Sequence, residues 1–191
     1  MNFFLIIDTR ADEGILILAN KAIIISKSAS SKISRSIVGE INRFLTSNNL
    51  TFNDLSFIVI NKGPGSFTAL RAGLTVGKMI SYTRNIPLLS YYAYECYVLS
   101  EQPSLLLFDG KSRGIYVYRG KKRSLKSPEE VSSYKVKMYS PDVSLLKSRL
   151  LKARQEELSY CEPNFEHLCA SLHNTFYIKH LRKTKRVELL Y

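Results

Sequence analysis

Gly63-Pro64-Gly65-Ser66-Phe67-Thr68 is the stretch whose residue types and spacing point most directly to chemistry. It follows the apolar run 57–60 and opens a helical pattern reaching about residue 84. Glycines allow tight backbone turns. A helix N-terminus offers free N–H groups and a partial positive charge, which suits a phosphate or another anion. Ser66 or Thr68 can cap that helix. The stretch is not the Gly-x-x-x-x-Gly-Lys-Ser/Thr loop of nucleotide hydrolases, because the next lysine is Lys78. An anion site and a rigid turn that only starts a helix are equally open. Asp8 and Asp109 each close an apolar run just before a turn. Two strand-terminal carboxylates can hold a metal ion or orient a water, or they can simply initiate turns.

Other constellations are poor. His167, His173 and His180 form no His-x-x-x-His or His-Glu-x-x-His pair. Cys161, His167, Cys169 and His173 have the ligand types for zinc but no usual finger spacing, so no metal is expected. No Gly-x-Ser-x-Gly elbow is present. Three cysteines, an odd and sparse set, give no disulfide framework and fit a reducing cytoplasm. No apolar run approaches the roughly 20 residues a membrane-spanning helix needs.

Charge is distributed unevenly. The 191-residue chain carries 28 Lys and Arg against 16 Asp and Glu, a net +12. Residues 1–110 hold 10 against 8, and residues 111–191 hold 18 against 8. Lys121-Lys122-Arg123, near Arg119 and Lys126, forms one cluster; Lys179, Arg182, Lys183, Lys185 and Arg186 form another. Such asymmetry attracts a polyanion or an acidic surface, or serves as solvated surface.

The elements that must position these residues follow from pattern. Three short strands, 3–8, 15–18 and 22–25, read as an antiparallel meander, with Asn20-Lys21 at a turn. Residues 26–32 are Ser-rich and read as non-strand. Ile33, Ile37, Ile41, Phe44 and Leu45 recur at helical spacing, ending at Asn48-Asn49. Residues 57–60 read as a strand buried on both faces. After the 67–84 helix come a short strand at 88–89 and a helix over 91–99. The second half repeats the theme with strands 105–109 and 115–118, a further strand at 136–139 and a basic amphipathic helix over 143–157. Residues 160–178 show little periodicity.

The 67–84 helix carries a stripe of small residues. Ala69, Gly73 and Gly77 lie four apart on one face. A helix-interior Gly costs up to about 1 kcal/mol relative to Ala, so some backbone or side chain must approach closely there. The partner is either the chain's own sheet or another chain's helix.

Together these blocks resemble the TsaB family. Ile7-Asp8-Thr9 resembles its Ile-Asp-Thr-Ser opening. Asn61-Lys62-Gly63-Pro64-Gly65-Ser66-Phe67-Thr68-Ala69-Leu70-Arg71-Ala72-Gly73-Leu74 resembles its Gly-Pro-Gly-Ser-Phe-Thr-Gly-Leu-Arg-Ile-Gly stretch, and Asn85-Ile86-Pro87-Leu88 the Asn-Ile-Pro-Leu after it. Leu107-Phe108-Asp109-Gly110-Lys111-Ser112-Arg113-Gly114-Ile115-Tyr116 is a looser match to its Asp-Ala-Arg segment, and Leu190-Tyr191 resembles its C-terminal region. Convincing coverage is about residues 3–118.

The resemblance implies an α/β fold of the ASKHA class (actin, sugar kinase, Hsp70; RNase H-like), with two β-β-β-α-β-α lobes, the second reduced. The expected division is 1–103 and a smaller basic lobe, 104–191. It implies a non-catalytic subunit for making threonylcarbamoyladenosine in tRNA, paired with a TsaD-like transferase and a TsaE-like ATPase that carry the nucleotide and metal. The isolated chain would need no cofactor and would be cytoplasmic. The helices at about 31–47 and 67–84 would form the contact, through Ile33, Ile37, Ala69, Arg71, Ala72, Gly73, Val76, Gly77 and Ile80. The same face would pair with a second copy when the partner is missing. Asp8, Thr9 and Asp109 would line a vestigial cleft. Arg10 stands where the family has a small Ser and an ASKHA protein would receive a phosphate; Lys111 and Gly114 replace an Arg and a Glu. Two alternatives stand beside this one. One is an ASKHA phosphotransferase or glycoprotease-like enzyme, which Arg10 and the missing histidine pair disfavour. The other is direct tRNA binding through Lys121, Lys122, Arg123, Arg182, Lys183, Lys185 and Arg186.

Overall fold

Alternating apolar runs separated by short turns fold here into two mixed sheets. The computed structural model describes every residue except 1–2, 12, 32–35, 100–102, 121 and 179–191, and within 174–178 the backbone alone. Ile33, Lys121, Arg182, Lys183, Lys185, Arg186 and the Leu190-Tyr191 ending therefore lie outside the described residues.

The first sheet contains β1 (Phe3–Asp8), β2 (Gly14–Asn20), β3 (Ile23–Ser30), β4 (Leu55–Asn61) and β5 (Leu88–Tyr91), in the order β3-β2-β1-β4-β5. β1, β2 and β3 are antiparallel, whereas β4 and β5 run parallel to β1. Helices α1 (Ile37–Ser47) and α2 (Phe67–Arg84) supply the two crossovers. Side chains alternate across a strand. Leu5, Ile7, Leu16, Leu18, Ile58, Ile60 and Leu88 accordingly form one core with Ile37, Ile41, Phe44, Val76 and Ile80 of the helices. α2 ends as its sequence prescribes, with Asn85 in the left-handed region at φ 50°.

The second sheet contains β6 (Ser104–Asp109), β7 (Ile115–Arg119), β8 (Lys122–Lys126), β9 (Lys137–Ser140) and β10 (Leu158–Tyr160). Its order, β10-β9-β6-β7-β8, is the first sheet's order read from the other edge. The repeat suggested by Asp8 and Asp109 is thus a repeat of whole topology. The reduction of this lobe lies in its helices. α3 (Pro128–Ser132), α4 (Val143–Lys147) and α5 (Lys152–Gln155) stand where the first lobe has 11- and 18-residue helices. The expected helix over 143–157 is broken because Arg149 turns to Asp109 and Leu151 leaves helical geometry. The expected helix over 91–99 is a short 3-10 turn, Ala93–Cys96. Ser26–Ser30, read as non-strand, continues β3.

The chain forms two compact units that differ from the expected division. Residues 1–93 belong with α6 (Phe165–Ile178), and residues 94–164 form the other unit. α6 lies against β3, with Phe165 beneath the Lys27 ammonium at 5.2 Å. Its buried stripe Phe165, Leu168, Cys169 and Leu172 anchors it. Burial, with the nearby Glu166 carboxylate, pushes the Cys169 thiol up to about 12, so this cysteine is packing, not a nucleophile. Among the described residues no helix is long and apolar enough to cross a membrane.

Candidate functional site

Parallel register brings three side chains into one row. Ile7 is opposite Ile60, and Asn61 is opposite Tyr91, so Asp8, Asn61 and Tyr91 lie abreast at the C-terminal ends of β1, β4 and β5. All three are buried and lie on the sheet face away from α1 and α2. Asp8 Oδ2 accepts from Asn61 Nδ2 at 3.0 Å and from the Tyr91 hydroxyl at 2.7 Å. Oδ1 accepts from the Arg10 backbone N–H at 2.9 Å. Asn61 Oδ1 in turn accepts from the Gly63 N–H at 2.8 Å. Both carboxylate oxygens are engaged by donors of this chain. The network ties three strands to the glycine-rich loop and uses Asp8 as a structural acceptor, charge-assisted and therefore strong.

The loop is built against the turn after β1. Gly63, at φ 102°, takes a conformation that side chains resist, and its peptide to Pro64 is cis. Gly65 lies so close to Arg10 that a Cβ there would come within 2.4 Å of Arg10 Cγ. The Ser66 N–H donates to the Arg10 carbonyl at 2.8 Å. The Gly63 carbonyl accepts from the Ala93 N–H, and the Lys62 ammonium sits 3.9 Å from the centre of the Tyr92 ring. Ser66 is the N-cap residue, but its side chain makes no capping bond. The geometry favours the rigid-turn reading: an amide that an anion would need is given to Arg10.

Thr9 explains the small-residue stripe. Its side chain is on the helix side and donates to the Ala69 carbonyl at 2.7 Å. A Cβ on Gly73 would come within 2.5 Å of Thr9 Oγ1, and one on Gly77 within 2.8 Å of Ile60 Cγ2. The close approach is therefore made by the chain's own sheet. Of the residues expected at an interface, Ile37, Ala69, Gly73, Val76, Gly77 and Ile80 are buried within the first unit, whereas Arg71 is exposed and Ala72 half-buried.

The outward side of α2 carries large exposed side chains, of which Met79 and Tyr82 have no marker in the sequence motif. Phe67, Met79 and Tyr82 are 48%, 45% and 90% exposed, and Arg71 lies over the Phe67 ring at 5.1 Å. Val38 of α1 is 43% exposed. Large apolar or aromatic residues at positions 67, 79 and 82 of a helix, opposite a glycine stripe, were the available signal.

Asp109 ends β6 as Asp8 ends β1, but its partners differ. Its carboxylate forms an ion pair with Arg149, which also donates to the Gly114 carbonyl. Oδ1 accepts from the Lys111 N–H at 3.0 Å, and the Asp109 N–H donates to Asp142 Oδ2. Among the described residues no group of three or more His, Cys, Asp or Glu could hold a metal ion. Lys122 and Arg123 lie on β8, an exposed edge strand.

Comparison with known proteins agrees with this architecture. The family model described as TsaD, tRNA N6-adenosine threonylcarbamoyltransferase, matches residues 17–188. A relative named tRNA threonylcarbamoyladenosine biosynthesis protein TsaB, from Buchnera aphidicola, is 29% identical over 89 residues. That match covers 46% of this chain and 42% of the relative, less than half of its length. A Pseudomonas aeruginosa structure described as similar to the peptidase YeaZ superposes with TM-score 0.71 at 14% identity, covering 100% of this chain and 99% of the other. YeaZ from the same organism gives 0.68 at 14% identity, covering 94% of each chain. At such identities the structures speak for the fold, which is the α/β ASKHA architecture. The chain belongs to the family of that model, TsaD, tRNA N6-adenosine threonylcarbamoyltransferase.

Proposed function

We propose that this chain is the non-catalytic partner subunit of the assembly that places threonylcarbamoyl on adenosine in tRNA. It pairs with a TsaD-like transferase and works with a TsaE-like ATPase, which carry the metal and the nucleotide; tRNA is engaged through the complex. The observation that carries the reading is the outward face of α2, where Phe67, Met79 and Tyr82 leave large apolar surface in water. Aromatic and methionine side chains beside an arginine are the composition of an interface core. The closed Asp8–Asn61–Tyr91 network and the Arg10-filled loop support the non-catalytic part, since the groups a kinase-like cleft would turn to its ligand are used internally.

Light scattering on a mixture with the TsaD-like protein tests this reading. The wild-type chain is expected to form a stable heteromer. Met79→Glu with Tyr82→Glu is expected to weaken pairing at least ~10-fold, since a buried anchor is worth about 2 kcal/mol or more. Monomer stability should stay within roughly 0.5 kcal/mol because both side chains are on the surface. Unchanged pairing by the double variant would remove α2 as the contact. Self-association of the wild-type chain in place of heteromer formation would assign the face to a second copy.

A further inference from the structure

The β7–β8 hairpin is electrostatically odd. Residues 111–126 contain seven Lys and Arg and no Asp or Glu. The turn forces two of these cations together. Gly120, at φ 58°, follows Arg119, and Arg119 is then directly opposite Lys122 in the antiparallel register. Both are exposed, as is Arg123, which is opposite Tyr118. Like charges directly across a strand pair oppose folding. Lys126, nearer the base of the hairpin, is paired with Glu130 of α3 at 2.8 Å, which raises its pKa. Cations on an edge strand do guard against strand-to-strand association, but one would serve. A facing pair at the hairpin tip, kept at a cost to the fold, is what an anionic ligand would require.

We propose that the tip of this hairpin, through Arg119, Lys122 and Arg123, binds the phosphate backbone of tRNA. An extended two-stranded ribbon with cations toward both faces suits a phosphodiester chain, which presents evenly spaced charges and no fixed side-chain shape. That the polyanion is tRNA rests on the proposed function; the charge geometry does not.

The test is a titration of unmodified tRNA transcript into the full chain, at about 50 and about 200 mM salt. Wild-type protein is compared with Arg119→Gln/Lys122→Gln/Arg123→Gln. Binding by the wild-type chain should fall steeply with salt. In the variant the slope of log affinity against log salt should shrink by about two to three, at roughly 0.7 to 0.9 per lost phosphate contact. The variant's thermal midpoint should be unchanged or higher, because repulsion is removed, so weaker binding will not reflect unfolding. No tRNA binding by the wild-type chain at low salt, or an unchanged slope in the variant, overturns the proposal. Polyglutamate competing as well as tRNA also overturns it and assigns the tip to an acidic protein. Pairing of the same variant with the TsaD-like protein, measured in parallel, should be intact. Loss of pairing by wild-type protein would instead count against the partner-subunit reading.

Discussion

Gly73→Leu is expected to unfold the first unit. A Cβ at this position already meets Thr9 Oγ1 at 2.5 Å, before any further leucine atom is placed. The helix cannot simply move away, because Val76 and Ile80 on the same side are in the core. Thr9 cannot rotate away without breaking its buried bond to the Ala69 carbonyl. Overpacking costs about 1–3 kcal/mol and sometimes more, and orphaning a buried polar group about 1–3, so the total expected loss is roughly 2–6 kcal/mol. Gly73→Ala should lose about 1–3 kcal/mol by the first of these causes. Urea unfolding gives the numbers. A second variant separates steric conflict from a general dislike of change at this helix: Thr9→Ala in the Gly73→Ala background removes the conflicting hydroxyl. The double variant should therefore be more stable than the sum of the two single losses by about 1 kcal/mol. Strict additivity would show that Thr9 is not what the glycine accommodates.

Asp8→Ala is the second large effect. It strands the Asn61 amide, the Tyr91 hydroxyl and the Arg10 N–H, each of which now has the carboxylate as acceptor. Each buried donor left unsatisfied costs about 1–3 kcal/mol, so three together should lose about 3 kcal/mol or more. Asp8→Asn keeps one acceptor oxygen but turns an amide toward donors, and should lose less. Tyr91→Phe should lose about 1–2 kcal/mol. The same unfolding experiment reads all three. If Asp8→Ala leaves stability untouched, the network is not structural, and Asp8 would return as a residue that meets a ligand.

Much of the first lobe was legible in the sequence because its signals are strong. The runs 3–8 and 57–60 are apolar on both faces, and α2 follows a clear strand–loop–helix pattern. β3 was cut short because Ser26–Ser30 is polar. An edge strand paired to β2 takes its order from backbone bonds, and its alternating half-buried serines need no apolar signal. Tyr91 was assigned to a helix because its neighbours are helix-compatible, yet β4 pairing and the bond to Asp8 hold it in β5. α6 was missed even though Phe165, Leu168, Cys169 and Leu172 do recur at helical spacing. β8 was missed because a run of lysine and arginine does not look like a strand, and the hairpin register supplies what its side chains do not.

The site was legible in part. Position along the chain identified Asp8, Thr9 and the Gly63–Thr68 loop, and the structure gathers them at the end of β1 and the start of α2. Which side of α2 faces inward could not be read from glycine spacing alone. Small residues mark a close approach, and they do so equally for a sheet and for a second helix. Asn61 and Tyr91 were not singled out because their role depends on parallel register, a non-local property. The Arg149 partner of Asp109 is 40 residues away in sequence and had no local marker.

The most direct test of the central claim is formation of threonylcarbamoyladenosine in a reconstituted reaction containing tRNA and combinations of this chain, the TsaD-like protein and the TsaE-like ATPase. The account predicts no product from this chain alone, and product from the TsaD-like protein only when this chain is present. Product made by this chain in the absence of the transferase, or full activity of the other components without it, would contradict the account.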